Sequence, residues 1–183
     1  MNLKRHAINF FHTHERGFRV LSRWMIRHPL HRHVERDLQR RLKGRKDDLL
    51  MDIGSRRSPY SIGLDCQVLG LDMEAQPEVD LGADRAKVTK RALHGRFFQV
   101  IGDGRELPVR DRSLDAVTAI EVIEHVDRDR SFVENLSRSL KSEGFCYLTT
   151  PNGVTVPNTN PHHVRHYTPE GLKALLLDYF VAK

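Results

Sequence analysis

Residues 114–126 read LDAVTAIEVIEHV, and the fold is decided by how this stretch is read. Leu114, Ala116, Val117, Ala119 and Ile120 form a near-continuous apolar run. That is the pattern of a strand covered on both faces, as in a parallel sheet with helices on each side. Glu121, Glu124 and His125 follow at once, at the carboxyl end of the strand. In open α/β sheets this edge is where ligands bind, so three side chains able to hold a metal or a proton stand where a site is expected.

Working outward toward the amino end, residues 48–53, DLLMDI, read as a buried first strand followed by a turn from Gly54 to Tyr60. Residues 68–71 form a second short apolar strand ending on Asp72, 18 positions after Gly54. That spacing suits an acceptor for a ribose diol in a nucleotide-binding βαβ unit. The pattern predicts a helix over 83–93 and a third strand over 97–101, which ends in Gly102-Asp103-Gly104. Gly54, Asp72 and Asp103 therefore share one edge of the sheet.

Toward the carboxyl end, residues 129–140 place Phe132, Val133, Leu136 and Leu140 on one helical face, and Ser142, Glu143 and Gly144 are expected to end that helix. A fifth strand is predicted over 145–149, then a polar, proline-bearing loop from Thr150 to Pro161 of the length that often carries function. Thr168-Pro169-Glu170 opens a last helix with an N-cap and then proline at the first position, running to about Tyr179. The alternation predicts an α/β domain with a mainly parallel sheet.

A chain of 183 residues makes one domain with a real core plus an appendage. The net charge of +6 is uneven: residues 1–46 hold thirteen Lys/Arg against three acids, a balance of +10, leaving −4 for residues 47–183. In the arm, Ile8, Phe11, Phe18, Leu21 and Met25 predict an amphipathic helix over 7–26, which Pro29 ends. Leu30, Val34, Leu38 and Leu42 recur every four residues and predict a second helix over 30–42, stopped by Gly44. Two readings of this basic arm stand side by side. It is a helical cap packed on the sheet with a solvated basic face, or a surface for RNA or an anionic membrane. Cys66 and Cys146 have no CxxC spacing and read as reduced structural thiols. No apolar run approaches the roughly 18 residues of a membrane span, and the start lacks the apolar core of a signal peptide; a cytoplasmic protein is expected.

Five motifs then carry a resemblance: Asp52-Ile53-Gly54-Ser55, Gly70-Leu71-Asp72, Gly102-Asp103 with Glu106-Leu107-Pro108, Arg112 to Val117, and Glu121 to Val126. In this order and spacing, over roughly residues 48–180, they resemble the class I S-adenosylmethionine (AdoMet)-dependent methyltransferases, of the type 11 and ubiquinone-pathway O-methyltransferase kind. The resemblance implies a Rossmann-like mainly parallel sheet with helices on both faces, and an AdoMet-binding domain over 47–183. It implies cofactor contacts at Asp52, Gly54, Ser55, Asp72, Met73, Asp103, Gly104 and Glu121. Gly54 would let backbone approach the methionyl part, Asp72 would accept from the ribose and Asp103 from the adenine amino group.

Two departures stand out. Arg56 replaces the family's second loop glycine, so that it either pairs with the AdoMet carboxylate or weakens binding, while Pro59-Tyr60 matches a shorter variant of the loop. A missing second glycine also argues against a nicotinamide dehydrogenase, whose pyrophosphate needs close backbone approach there. The family's closing antiparallel strands look shortened or missing, as expected of a piece of a longer chain, of a short member whose last residues supply one strand, or of a homo-oligomer that covers the open edge.

Within the family, Glu121, Glu124 and His125 with the later His163 are similar to two branches. One comprises O-methyltransferases of small molecules and saccharides; the other comprises enzymes that methylate the 2′-oxygen of an RNA 3′ end. In the RNA branch the matching residues bind a divalent ion, so the resemblance implies Mg²⁺ or Mn²⁺ at Glu121, Glu124, His125 and His163. If the chain turns helical at Glu121, positions i, i+3 and i+4 share a face. Two carboxylates with imidazoles suit such ions, which lower the pKa of a bound hydroxyl. Without a metal, His125 is the base or a positioning group, with Glu121 beside it as the other catalytic candidate; a purely structural set, with Glu121 and Glu124 at a helix N-terminus, is the remaining reading. His162 and His166 lie in the same polar loop, where a solvated histidine is ordinary. The expected function is O-methylation of a small molecule or saccharide, with the RNA-end enzyme and a catalytically inactive AdoMet-binding scaffold as alternatives.

Overall fold

The computed structural model describes residues 29–55, 60–61, 63–73, 79–80, 87–88 and 96–180. Among these described residues seven strands occur in chain order: β1 (Leu49–Ile53), β2 (Gln67–Asp72), β3 (Val79–Asp80), β4 (Lys87–Val88), β5 (Phe97–Ile101), β6 (Leu114–Ile120) and β7 (Leu140–Thr149). Five of them form one sheet in the order β5-β2-β1-β6-β7, and every neighbouring pair in it is parallel. The apolar run that opened the sequence reading is β6, second from one edge, with six of its seven residues buried.

Alternation along the strands sorts the core into two layers. On one face Leu50, Val68, Phe97, Ala116 and Ile120 meet Val34, Leu38 and Leu42 of helix α1 (Pro29–Leu42). The opposite face joins Met51, Ile53, Leu71, Val117 and Ala119 to Phe132, Val133 and Leu136 of α2 (Asp129–Ser139) and Leu175 of α3 (Pro169–Leu177). The sheet is thus covered on both faces, a Rossmann-like α/β architecture. α1 ends as expected: Gly44 takes φ +75°, and its N–H donates to Asp65 Oδ2 at 2.8 Å. α3 starts as expected, with Thr168 Oγ1 accepting from Gly171 N at 3.1 Å and Pro169 next in line.

Three expectations change. Residues 87–88, placed within a predicted helix over 83–93, are extended as β4 and pair antiparallel with β3 in a separate two-stranded ribbon, which gives their backbone groups partners across the pair. α2 stops at Ser139, before Ser142: Leu140 is already extended, buried and paired with Leu114. Residues 141–144 are then the irregularity of a β-bulge between the Leu114 and Ala116 pairings. The rest of the predicted 83–93 helix, the predicted 7–26 helix and Arg56 lie outside the described residues. No described helix is long and apolar enough to cross a membrane.

Burial pushes both the Cys66 and Cys146 thiols up to about 12. The thiolate is the reactive form, so Ellman's reagent at pH 8 should leave the folded protein unlabelled and react with both cysteines after denaturation. Prompt labelling of Cys66 before unfolding would contradict this account of its strand-side burial.

Candidate active site

The site begins where β6 ends. Glu121 N donates to Thr149 O at 3.0 Å, extending the β6–β7 pairing by one residue. Glu121 then takes φ +56°, a left-handed conformation uncommon outside glycine, and the chain reverses. Only after it does a single 3₁₀ turn form, Ile123–His125. The expected helix from Glu121 is therefore absent, because its backbone is committed to the sheet. Strain of this kind clusters at functional sites.

The reversal explains Gly54 from inside the protein. Gly54 has φ +70°, its N–H is taken by Leu71 O at 2.9 Å, and a Cβ there would lie 2.8 Å from Val122 Cγ2. The space that glycine keeps open on this side is filled by the turn after β6, a reason beside the cofactor approach expected from sequence. Asp52 is fully buried on the α1 side, where its Oδ1 accepts from Tyr60 Oη at 3.2 Å and Thr118 Oγ1 at 2.9 Å. It ties the loop after β1 to β6. Ser55 is buried beside β2, its Oγ 2.8 Å from where a Cβ on Gly70 would stand.

Asp72, half-buried, ends β2, and Met73 follows with 71% of its surface exposed. Gly102 N donates to Asp72 O at 2.9 Å, which joins the ends of β2 and β5. Asp103 comes next, and Gly104 packs so closely that a Cβ would lie 2.9 Å from Ile53 Cγ2. The Asp103 carboxylate accepts from Arg105 Nε and Nη2, at 2.9 and 2.6 Å on Oδ2, and Arg105 Nη1 reaches Asp127 Oδ1 at 3.2 Å. This guanidinium holds Asp103 below the usual carboxylate range. Arg105 gave no signal in the sequence, since a lone arginine in a polar loop is unremarkable.

The loop 150–168 closes over the turn. Glu124 is the anchor: its carbonyl accepts from Val164 N at 2.7 Å, and its Oε2 accepts from Thr150 Oγ1 at 3.0 Å. Asp129 holds the same loop by an ion pair with Arg165 and by accepting from Tyr167 Oη at 3.0 Å. A parallel bridge joins Asn152 to Tyr167. As a result Glu124, His125 and His163, 38 residues apart in the case of the two histidines, bring ligand atoms within 4.8 Å of one another. Glu121 stands outside this group; its Oε1 accepts from Thr149 Oγ1 at 3.0 Å, and its charge is felt by both Glu124 and His163.

The electrostatics suit a cation. Burial pushes the Glu124 carboxyl up, with the Glu121 charge adding to the effect, while hydrogen bonds from the backbone and Thr150 oppose it. Desolvation and the neighbouring His125 and His166 rings press His163 below the ordinary imidazole range, favouring the neutral form that a metal requires. His125 Nδ1 lies 2.9 Å from the His162 carbonyl, and the two rings of His125 and His163 meet edge to face at 4.6 Å. One carboxylate with two imidazoles is a donor set for divalent first-row ions or Mg²⁺ rather than for a thiolate-seeking ion.

Comparison with known proteins bears on the family and the fold. Residues 51–148 match a family described as a methyltransferase domain. A Mycobacterium tuberculosis protein named a probable S-adenosylmethionine-dependent methyltransferase is 36% identical over 78 residues, 40% of this chain and 28% of that protein. Matched stretches thus span well under half of such curated relatives. Among solved structures, the YcgJ protein from Bacillus subtilis superposes with a TM-score of 0.63 at 17% identity, covering 82% of this chain and 69% of that one. Geranyl diphosphate C-methyltransferase from Streptomyces coelicolor gives 0.60 at 19% identity over 79% of this chain and 58% of its own. These structural likenesses carry the fold, and the sequence match over more than half the chain carries the kinship: the protein belongs to the methyltransferase domain family.

Proposed function

We propose that the protein is an AdoMet-dependent methyltransferase acting on a hydroxyl of a small molecule or saccharide, with a divalent cation at Glu124, His125 and His163. The observation that carries this reading is the convergence of those three side chains from the turn after β6 and the distant loop. The donor set fits the ion: a buried carboxylate and two imidazoles, each with one ring nitrogen already engaged in a hydrogen bond. Such an ion, Mg²⁺ or Mn²⁺, supplies Lewis acidity that lowers the pKa of an acceptor hydroxyl.

The chain's own residues do the remaining work. Asp72 and Asp103, at the ends of β2 and β5, hold the ribose and adenine of AdoMet, with Met73, Gly104, Ser55 and Glu121 around them. Transfer from a sulfonium needs alignment of nucleophile, methyl and sulfur more than covalent help. His125, its Nδ1 fixed on the His162 carbonyl, would hold the ion through Nε2; in a metal-free site the same nitrogen would instead be the base for the acceptor proton.

A second acceptor, the 3′-terminal ribose of an RNA, is favoured by one feature of α1. Its apolar side is consumed in the core while Arg36 on the helix, and Lys43 and Lys46 just after it, are exposed. A helix so packed has no apolar face left to insert into a membrane, but its charges suit a phosphate backbone. Isothermal titration of the full chain with AdoMet, with and without Mn²⁺, tests the common core of both readings. Micromolar AdoMet binding and EDTA-sensitive methyl transfer are expected. Absence of AdoMet binding by folded protein would sink the enzyme reading and leave an inactive scaffold, whereas transfer indifferent to EDTA would remove the metal. Comparing a saccharide diol with an RNA 3′ end as acceptor separates the two substrates.

A further inference from the structure

We propose that His166 is a positioning residue that sets the tautomer of His163, so that both histidines of the cluster present Nε2 as a bare lone pair beside Glu124. The argument follows the protons. His166 Nδ1 lies 2.9 Å from the Val156 carbonyl oxygen. A carbonyl only accepts, so His166 Nδ1 carries the proton and, in the neutral ring, His166 Nε2 is bare. That bare nitrogen lies 2.7 Å from His163 Nδ1. The proton between them belongs to His163, which leaves His163 Nε2 unprotonated.

His125 obeys the same logic through a different partner. Its Nδ1 is 2.9 Å from the His162 carbonyl, so its Nε2 is the free nitrogen. One short stretch of loop therefore orders both rings, His162 by its backbone and His166 by its side chain. An imidazole left to itself in water favours the proton on Nε2, the tautomer whose Nε2 has no lone pair to offer an ion. His166 holds His163 in the less favoured form. The half-buried His166 ring, read from the sequence as an ordinary solvated histidine, thus gains a specific task. Its importance for function rests on the metal reading above; the tautomer itself does not.

Long-range proton–nitrogen NMR of the ¹⁵N-histidine-labelled, metal-free full chain reads tautomers directly. Wild type should show His163 with the proton on Nδ1. In His166→Phe the His163 proton should move to Nε2, and Mn²⁺ affinity read by electron paramagnetic resonance should fall about 10- to 100-fold, the range for loss of an outer-shell partner. His166→Gln keeps an acceptor for His163 and a donor for Val156, and should restore both readouts. An Nε2 proton on His163 in wild type overturns the proposal even if the phenylalanine variant does not fold, as does an unchanged tautomer in a folded His166→Phe. The expected tautomers in a wild type that binds no Mn²⁺ would uphold the role of His166 and remove the metal reading alone.

Discussion

Glu124→Gln should abolish Mn²⁺ binding and lower methyl transfer by at least about two orders of magnitude, while leaving the metal-free protein as stable as wild type or more so. The two halves of this result come from one fact. Glu124 is 1% exposed, and burial raises its carboxyl pKa above the ordinary value. A raised folded-state pKa means that the ionised group is disfavoured by folding, so the penalty is present at neutral pH and disappears as pH falls through that pKa. Glutamine keeps an oxygen to accept from Thr150 Oγ1 and carries no charge to desolvate. The variant's advantage in denaturant midpoint, measured in EDTA, should therefore be present at neutral pH and fade in acid. Lost Lewis-acid assistance, worth several kcal/mol, corresponds to the drop in rate. A buried carboxyl with a raised pKa beside a charged neighbour is a candidate for function. Unchanged transfer, or a clear loss of stability, would count against Glu124 as the anchor of the site.

Gly70→Val is expected to have the largest effect on folding. A Cβ on Gly70 would stand 2.2 Å from Phe97 Cζ and 2.8 Å from Ser55 Oγ. Gly70 lies inside β2, paired with Asp52 on one side and Gln99 on the other, so its backbone has little room to withdraw. Phe97 is 2% exposed and seated against Val68, Leu64 and Cys66. Overpacking of a core costs roughly 1–3 kcal/mol and occasionally more, and here a second branch must also be housed. Chemical denaturation should show a loss at or beyond the top of that range. Phe97→Ala alone costs about 3–5 kcal/mol through its cavity. In the double variant the valine enters the vacated space, and the combined loss should fall short of the sum of the two. Strict additivity would mean that the glycine is required for some reason other than the Phe97 ring.

These particulars show what could be read in the sequence. β6 and β1 were legible because buried parallel strands write their burial as near-continuous apolar runs; β5 was legible from its apolar residues although only Phe97 of it is buried, and α1 and α2 because their apolar residues recur at helical spacing. α3 was legible because Thr168 and Pro169 are punctuation. The 3₁₀ turn was not: Glu121-Val122-Ile123-Glu124 is locally compatible with a helix, and only the bond from Glu121 N to Thr149 O, 28 residues away, forces φ +56°. The early end of α2 was hidden for a similar reason, since Leu140 leaves the helix to pair with Leu114. In the site, His163 joins Glu124 and His125 because of Arg165, Tyr167 and Asp129, contacts that no periodicity encodes. Resemblance suggested the residue; the clamp that delivers it is tertiary.

The docking of Val164 on the Glu124 carbonyl has a consequence for how such a site changes over time. The loop recognises position 124 by its backbone through Val164 and by one side-chain bond from Thr150, while any bound ion would recognise the same position by its side chain alone. Two demands that ordinarily constrain one residue together are thereby partly uncoupled, since any side chain that accepts from Thr150 meets the loop's share. A lineage can exchange the side chain, swapping one donor for another or abandoning metal altogether, and the loop still arrives in place with His163 at its tip. One scaffold can in this way pass between metal-assisted and metal-free chemistry through single substitutions, without an intermediate that fails to fold.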